Sequence, residues 1–253
     1  KARAQFKIDP YTAAVYSGIC LLKSGVSSVI HLHSTRDWGD VIGESSATIK
    51  GYQDVGIRVV FCVQYADSGQ LTYQHAPGFY ASLPPTVRKE VELFFSPPPI
   101  SPYEYTDIVS ELIHNFHDTE DHTVHIAACA AGADWSSDEL ITTLVNFSQQ
   151  NSIQMQMHLL ETKLQSYSAG YVWGKSSVQH LLEIGALGPW LTLAHMVWAE
   201  KEDLPVLVEN GVGIALNPSS NLRLRSGIAP VDKMIAAGMP LGLGLDGFAL
   251  DND

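Results

Sequence analysis

Hydrophobic residues along this chain fall into two alternating rhythms. Short apolar runs of strand length, at 27–33, 57–64, 124–128, 153–159, 191–195, 213–216 and 242–246, are separated by stretches of helical period. Helices are expected over 11–22, where Ala14, Val15, Ile19 and Leu22 share a face, and over 46–54, 137–150, 177–184, 200–209 and 231–237. Several of them stop at a glycine (Gly25, Gly185, Gly211, Gly238), the residue that most easily takes the left-handed conformation closing a helix. Such alternation is the pattern of βα units on a parallel sheet, and 253 residues suit one barrel of about 250. Residues 67–120 interrupt the rhythm. They carry most of the prolines and read as a long excursion with two short helices, placed where barrel insertions cover the active face. The expected architecture is α/β: a single, incomplete (β/α)8 TIM-type barrel domain over residues 1–253, with an insertion at about 67–120.

Composition narrows the function. A hydrophobic fraction of 45% supports a real core, and no apolar run of about 18 residues suggests a membrane span. A net charge of −12 argues against binding a nucleic-acid backbone, which needs clustered Lys and Arg. The three cysteines, Cys20, Cys62 and Cys129, are odd in number, lie in apolar stretches and have no metal-type spacing. Buried thiols in a reducing compartment, and a cytoplasmic location, are expected. No targeting leader is visible ahead of the first helix.

Strand parity picks out the candidate chemistry. In 153–159, Met155, Met157 and Leu159 share one face, while Gln154, Gln156 and His158 share the other, with His158 at the C-terminal end. His195 ends its strand on the face of Leu191 and Leu193. Asp246 ends the last one above Gly242 and Gly244, with Leu241, Leu243 and Leu245 facing outward. Barrel chemistry occurs at that end. A lone strand-end histidine is more often structural than catalytic, but His158, His195 and Asp246 together form a set suited to zinc or a similar divalent ion. Glu161, three residues past His158, is placed to exchange protons without being a ligand. His31-x-His33 is a competing pair, read as lining the pocket or contacting the ligands from behind rather than as direct ligation, because its strand follows a helix and a turn; the alternative is that it substitutes for a first-strand pair. His75, His114, His117, His122 and His125 receive no role. Trp135 either walls the pocket or precedes a cap formed by the serines after it.

On these residues the chain resembles the amidohydrolase superfamily, in the branch of adenosine-, guanine- and cytosine-type deaminases and triazine hydrolases. MQMHLLET is similar to that branch's fifth-strand H-x-x-E, LTLAHMVW to its sixth-strand histidine, NPSSNLRLRSGIAP to its seventh-strand loop and LGLDG to its eighth-strand aspartate. The similarity is strong over 151–253 and looser over 11–66 and 124–150. It implies a metal-dependent hydrolase that deaminates a nitrogen heterocycle (purine, pyrimidine, pterin or triazine-like) with one divalent metal, zinc or else iron. His158, His195 and Asp246 would be metal ligands. His195 would also stabilise developing charge, Asp246 would take a proton from the attacking water, and Glu161 would protonate the ring. The substrate would be a small heterocycle, with neither nucleic acid nor membrane as partner and a homodimer permitted. The departures are a first barrel strand bearing H-x-H and a flanking β-sandwich, neither of which has a counterpart in these residues. Two alternatives follow: a catalytically inactive barrel fragment acting as a binding module, or an amidohydrolase cleaving an amide or carbon–halogen bond.

Overall fold

A computed structural model describes residues 8–35, 37–68, 77–95, 98–118 and 122–247. In chain order the elements are α1 (Pro10–Lys23), β1 (Ser28–His33), α2 (Val41–Val55), β2 (Arg58–Val63), α3 (Pro77–Ser82), α4 (Pro85–Phe95), α5 (Pro102–Phe116), β3 (Val124–Ile126) and β4 (Ala128–Gly132). There follow α6 (Asp138–Asn151), β5 (Met155–Leu159), α7 (Lys163–Trp173), α8 (Ser177–Glu183), β6 (Leu191–His195), α9 (Asp203–Glu209), β7 (Gly213–Leu216), α10 (Pro218–Arg223), α11 (Val231–Ala236) and β8 (Leu241–Leu243). The pairings β1–β2, β2–β3, β5–β6, β6–β7 and β7–β8 are parallel. Among the described residues no helix is long and apolar enough to cross a membrane.

The chain forms two compact units. In the first, residues 1–64 with 106–128, the sheet runs β1-β2-β3, and β2 supplies the buried Val59, Phe61, Cys62 and Val63. α2 turns Val41, Ser45, Thr48, Ile49 and Tyr52 inward, the spacing of one helical face. α1 begins at an Asp9 cap, whose carboxylate accepts from the Thr12 N–H at 2.8 Å. It crosses α2 closely at Gly51, where a Cβ would lie 2.7 Å from the Tyr11 carbonyl oxygen and 2.8 Å from the Ala14 Cβ.

The second unit, residues 65–105 with 129–253, contains a five-stranded sheet in the order β4-β5-β6-β7-β8. Met155, Met157, Leu159, Leu191 and Leu193 are almost completely buried there. Ser137 caps α6, accepting from the Leu140 N–H at 3.0 Å, and is itself held by Asp67, which accepts from the Ser137 N–H at 2.8 Å. Of the serines after Trp135, Ser137 thus serves the cap, while the Trp135 ring packs over Gly132.

Three features depart from the sequence reading. The insertion, whose residues 69–76 (with His75), 96–97 and 119–121 lie outside the described ones, carries three helices instead of two, the last of 15 residues. Pro77, Pro85 and Pro102 each occupy the first helical position, where the missing N–H costs nothing, so these prolines start helices. α7 was unforeseen, although Thr162 and Gln165 form a capping box at its start. The last strand ends at Leu243, and Leu243 and Leu245 are exposed.

Gly51→Ala should destabilise the protein by about 1–3 kcal/mol, because the methyl forces two helices apart. Urea unfolding monitored by circular dichroism measures it, and an unchanged midpoint would show that the helices have room to spare.

Candidate active site

The C-terminal ends of β5 and β6 bring two imidazoles together. The register pairs His158 with Ala194 and Leu159 with His195, which puts the two histidines on opposite faces of the sheet by parity alone. Yet their rings stack, with centroids 5.4 Å apart and planes within 25°. The backbone reconciles the two facts: His195 has φ 80° and Met196 φ 50°, so the chain leaves the extended conformation at His195 and swings the ring around. Leu160, just past His158, has φ 50°, and Asp246, three residues past β8, has φ 61°. Hydrogen bonds from the Met196 N–H to the Leu159 carbonyl and from the Trp198 N–H to the Leu160 carbonyl, both 3.0 Å, hold the reversed segments side by side.

Each ring is oriented by an acceptor behind it. Nδ1 of His158 lies 2.7 Å from the Ala131 carbonyl oxygen, and Nδ1 of His195 lies 2.9 Å from Oδ1 of Asn221. Both partners can only accept, so both Nδ1 atoms carry the proton and both Nε2 atoms keep a lone pair. Burial, and then the neighbouring His195, hold the His158 pKa below its ordinary value, which keeps that ring neutral. The hydroxyl of Ser220 donates to Oδ2 of Asp246. Gly244 sits under this corner: a Cβ there would come 2.3 Å from Oδ1 of Asn217, so the glycine admits the asparagine.

Among the described residues one group of three metal-capable side chains gathers, Glu161, His195 and Asp246, with ligand atoms all within 4.8 Å of one another. His195 is buried, Glu161 half-buried and Asp246 exposed. His158 stands outside that group of three, but it stacks on His195 and feels the charges of Glu161 and Asp246. Imidazole lone pairs with proton-donating Nδ1 atoms behind them, beside two carboxylates, are a donor set that fits zinc or a similar divalent cation.

The remaining candidates lie elsewhere. His31 and His33 end β1 in the first unit. The His31 ring is parallel to Phe61, at 5.4 Å and 4°, and its Nδ1 is 2.8 Å from the Tyr52 hydroxyl. Nε2 of His33 is 3.7 Å from Glu44, which accepts from the Thr35 hydroxyl at 2.6 Å. His117 uses Nδ1 to accept from the Ile126 N–H at 2.9 Å. Asp134, after β4, is a buried carboxylate pushed up to about 6 by burial, with Gln165 and Ser168 of α7 as its polar neighbours. Ser220 and Asn221 lie in the NPSSNLRLRSGIAP segment that the sequence reading likened to the seventh-strand loop, but that reading gave them no role. Their signal was a Ser-Asn pair one helical turn after the Asn217-Pro218 helix start.

The chain matches the model of the amidohydrolase family over residues 11–252. It is 39% identical over 117 residues to the 5'-deoxyadenosine deaminase of Methanosarcina mazei, an alignment covering 46% of this chain and 27% of the relative. An atrazine chlorohydrolase from Arthrobacter aurescens complexed with zinc superposes with TM-score 0.76 and 23% identity, over 96% of this chain and 50% of that one. An adenosine deaminase from Xanthomonas campestris with bound zinc gives TM-score 0.75 and 19% identity, over 97% and 48%. The likeness to these structures shows the fold, the parallel-strand α/β architecture of a partial TIM-type barrel of the amidohydrolase kind. The chain spans about half the length of the solved structures and about a quarter of the curated deaminase.

Burial pulls the His31 pKa down to about 3 from 6.5, with the nearby His33 adding to it. The folded chain therefore refuses a proton that the unfolded chain accepts, and His31 costs stability progressively as pH falls from 6.5 towards 3. His31→Phe should lose less stability than the parent between pH 7 and pH 4.5, by more than about 1 kcal/mol. Denaturant unfolding at the two pH values measures it, and equal losses would contradict the buried neutral ring.

Proposed function

Because the chain belongs to the amidohydrolase family, we propose that it carries the catalytic face of a zinc-dependent deaminase acting on an aminopurine nucleoside or a related heterocycle. The observation that carries this reading is the meeting of Glu161, His195 and Asp246 within 4.8 Å, with His158 stacked against His195. The nucleoside preference is supported by the name of the Methanosarcina relative, and zinc by the two zinc-bound structures of the same fold.

In this reading His158, His195 and Asp246 would hold the cation. Bound zinc supplies Lewis acidity that brings the pKa of water towards neutrality. Asp246 accepts the proton of the attacking water. Glu161 delivers a proton to the ring nitrogen beside the amino-bearing carbon, which makes that carbon electrophilic. Water oxygen then bonds to the carbon, the C–N bond to the amino group breaks, and ammonia leaves with the relayed protons. His195 faces the negative charge that gathers during attack. The three cysteines form no disulfide with one another, which fits a reducing compartment, the cytoplasm.

Glu161→Gln should lower turnover by about 10²–10⁴-fold, the usual share of a general acid–base, while zinc content stays at the parent level. Full activity in this variant would remove the proton relay. Zinc content by elemental analysis, with ammonia release across purine nucleosides, pyrimidines, pterins and aminotriazines, tests the whole reading. Chloride release from a chlorotriazine without any ammonia would move the chemistry to the carbon–halogen bond. Absence of both metal and turnover would leave a binding module.

A further inference from the structure

α10 is only six residues long, yet two consecutive side chains on it reach the two groups that the proposed chemistry needs most accurately placed. Asn221 accepts from Nδ1 of His195 at 2.9 Å, and Ser220 donates to Oδ2 of Asp246. Both side chains are buried, at 2% and 0% exposure, and the Asn221–His195 bond is buried at both partners, where water does not compete with it. The helix is anchored at both ends: the Asn221 N–H bonds the Asn217 carbonyl at 3.0 Å, and the Ser226 N–H bonds the Asn221 carbonyl at 2.8 Å. His195 and Asp246 both lie in left-handed backbone, φ 80° and 61°, where strand pairing no longer dictates side-chain direction. Their orientation has to come from somewhere else.

We infer that Ser220 and Asn221 act as a two-point clamp: Asn221 fixes His195 in the Nδ1–H tautomer with Nε2 towards the cation, and Ser220 occupies Oδ2 of Asp246 so that Oδ1 is the oxygen offered. They are positioning residues and touch no substrate. Because they are neighbours on one rigid turn, the imidazole and the carboxylate move as a pair, and loss of either contact loosens both. The clamp rests on the deaminase reading only for its kinetic consequences; its effect on tautomer and cation binding stands apart from any substrate.

The test uses the full chain, purified metal-free and titrated with zinc alone. In the parent, ¹⁵N spectra of labelled histidines should show His195 protonated at Nδ1. Asn221→Ala and Ser220→Ala should each weaken zinc binding about 10–100-fold, the usual effect of removing a ligand's supporting partner. Asn221→Asp, which keeps the acceptor, and Ser220→Thr, which keeps the donor, should recover most of that loss. If the parent deaminates a nucleoside, the alanine variants should lower kcat and leave KM nearly unchanged. A parent His195 protonated at Nε2, or alanine variants whose zinc affinity stays within about twofold of the parent, would overturn the clamp. If Asn221→Ala does not fold, the parent spectrum and Ser220→Ala decide the matter. A parent that binds zinc and shows the expected tautomer but deaminates nothing overturns the function and upholds the clamp.

Discussion

A side chain in a β-strand can face only one of two ways, and the pairing of β5 with β6 sends His195 the wrong way for a site shared with His158. The left-handed backbone at His195 resolves this conflict. A non-glycine residue held there costs of the order of 1–3 kcal/mol, and it persists only where the surroundings over-determine it. Here they do. The ladder continues past the strand ends through Leu159 and Leu160, Met196 is fully buried, and Asn221 holds the turned ring. The cluster that includes Glu161 and Asp246 depends on that single reversal.

The same economy recurs at the end of the sheet. β8 is short, and Asp246 lies beyond it, in left-handed backbone of its own. Gly244 makes the approach possible by leaving room for the Asn217 side chain, and Ser220 steadies the carboxylate. One loop and short helix after β7 therefore serve both β6 and β8. The groups with the most direct chemical roles sit on irregular backbone between regular strands, where direction is set by hydrogen bonds, whereas the buried methionines and leucines of β5 and β6 supply only a stiff base.

Two of the histidine pairs, His158 with His195 and His31 with His33, contrast in what surrounds them. His158 and His195 are backed by acceptors and stand among carboxylates, so each ring keeps a lone pair available. His31 is stacked on Phe61 beside the Tyr52 hydroxyl and His33, and burial takes its pKa down to about 3. An H-x-H spacing on a strand is common to metal sites and to packed cores, and only the neighbours tell them apart.

The linear pattern by itself was enough for the alternating architecture and its parallel strands, and it singled out His158, Glu161, His195 and Asp246. Strand-length apolar runs, helix stops and the ordered His158, Glu161, His195 and Asp246 are local signals, expressed within a few residues of themselves. The three proline-led helices were legible too, had the prolines been taken as first helical positions. What only the tertiary structure decided was direction. Parity suggested that strand ends alone aim these groups, but the register sets His195 against Leu159, and its orientation comes from a backbone reversal secured by residues 26 positions away. Contacts of that separation are set by how βα units pack, and no periodicity along the chain records them.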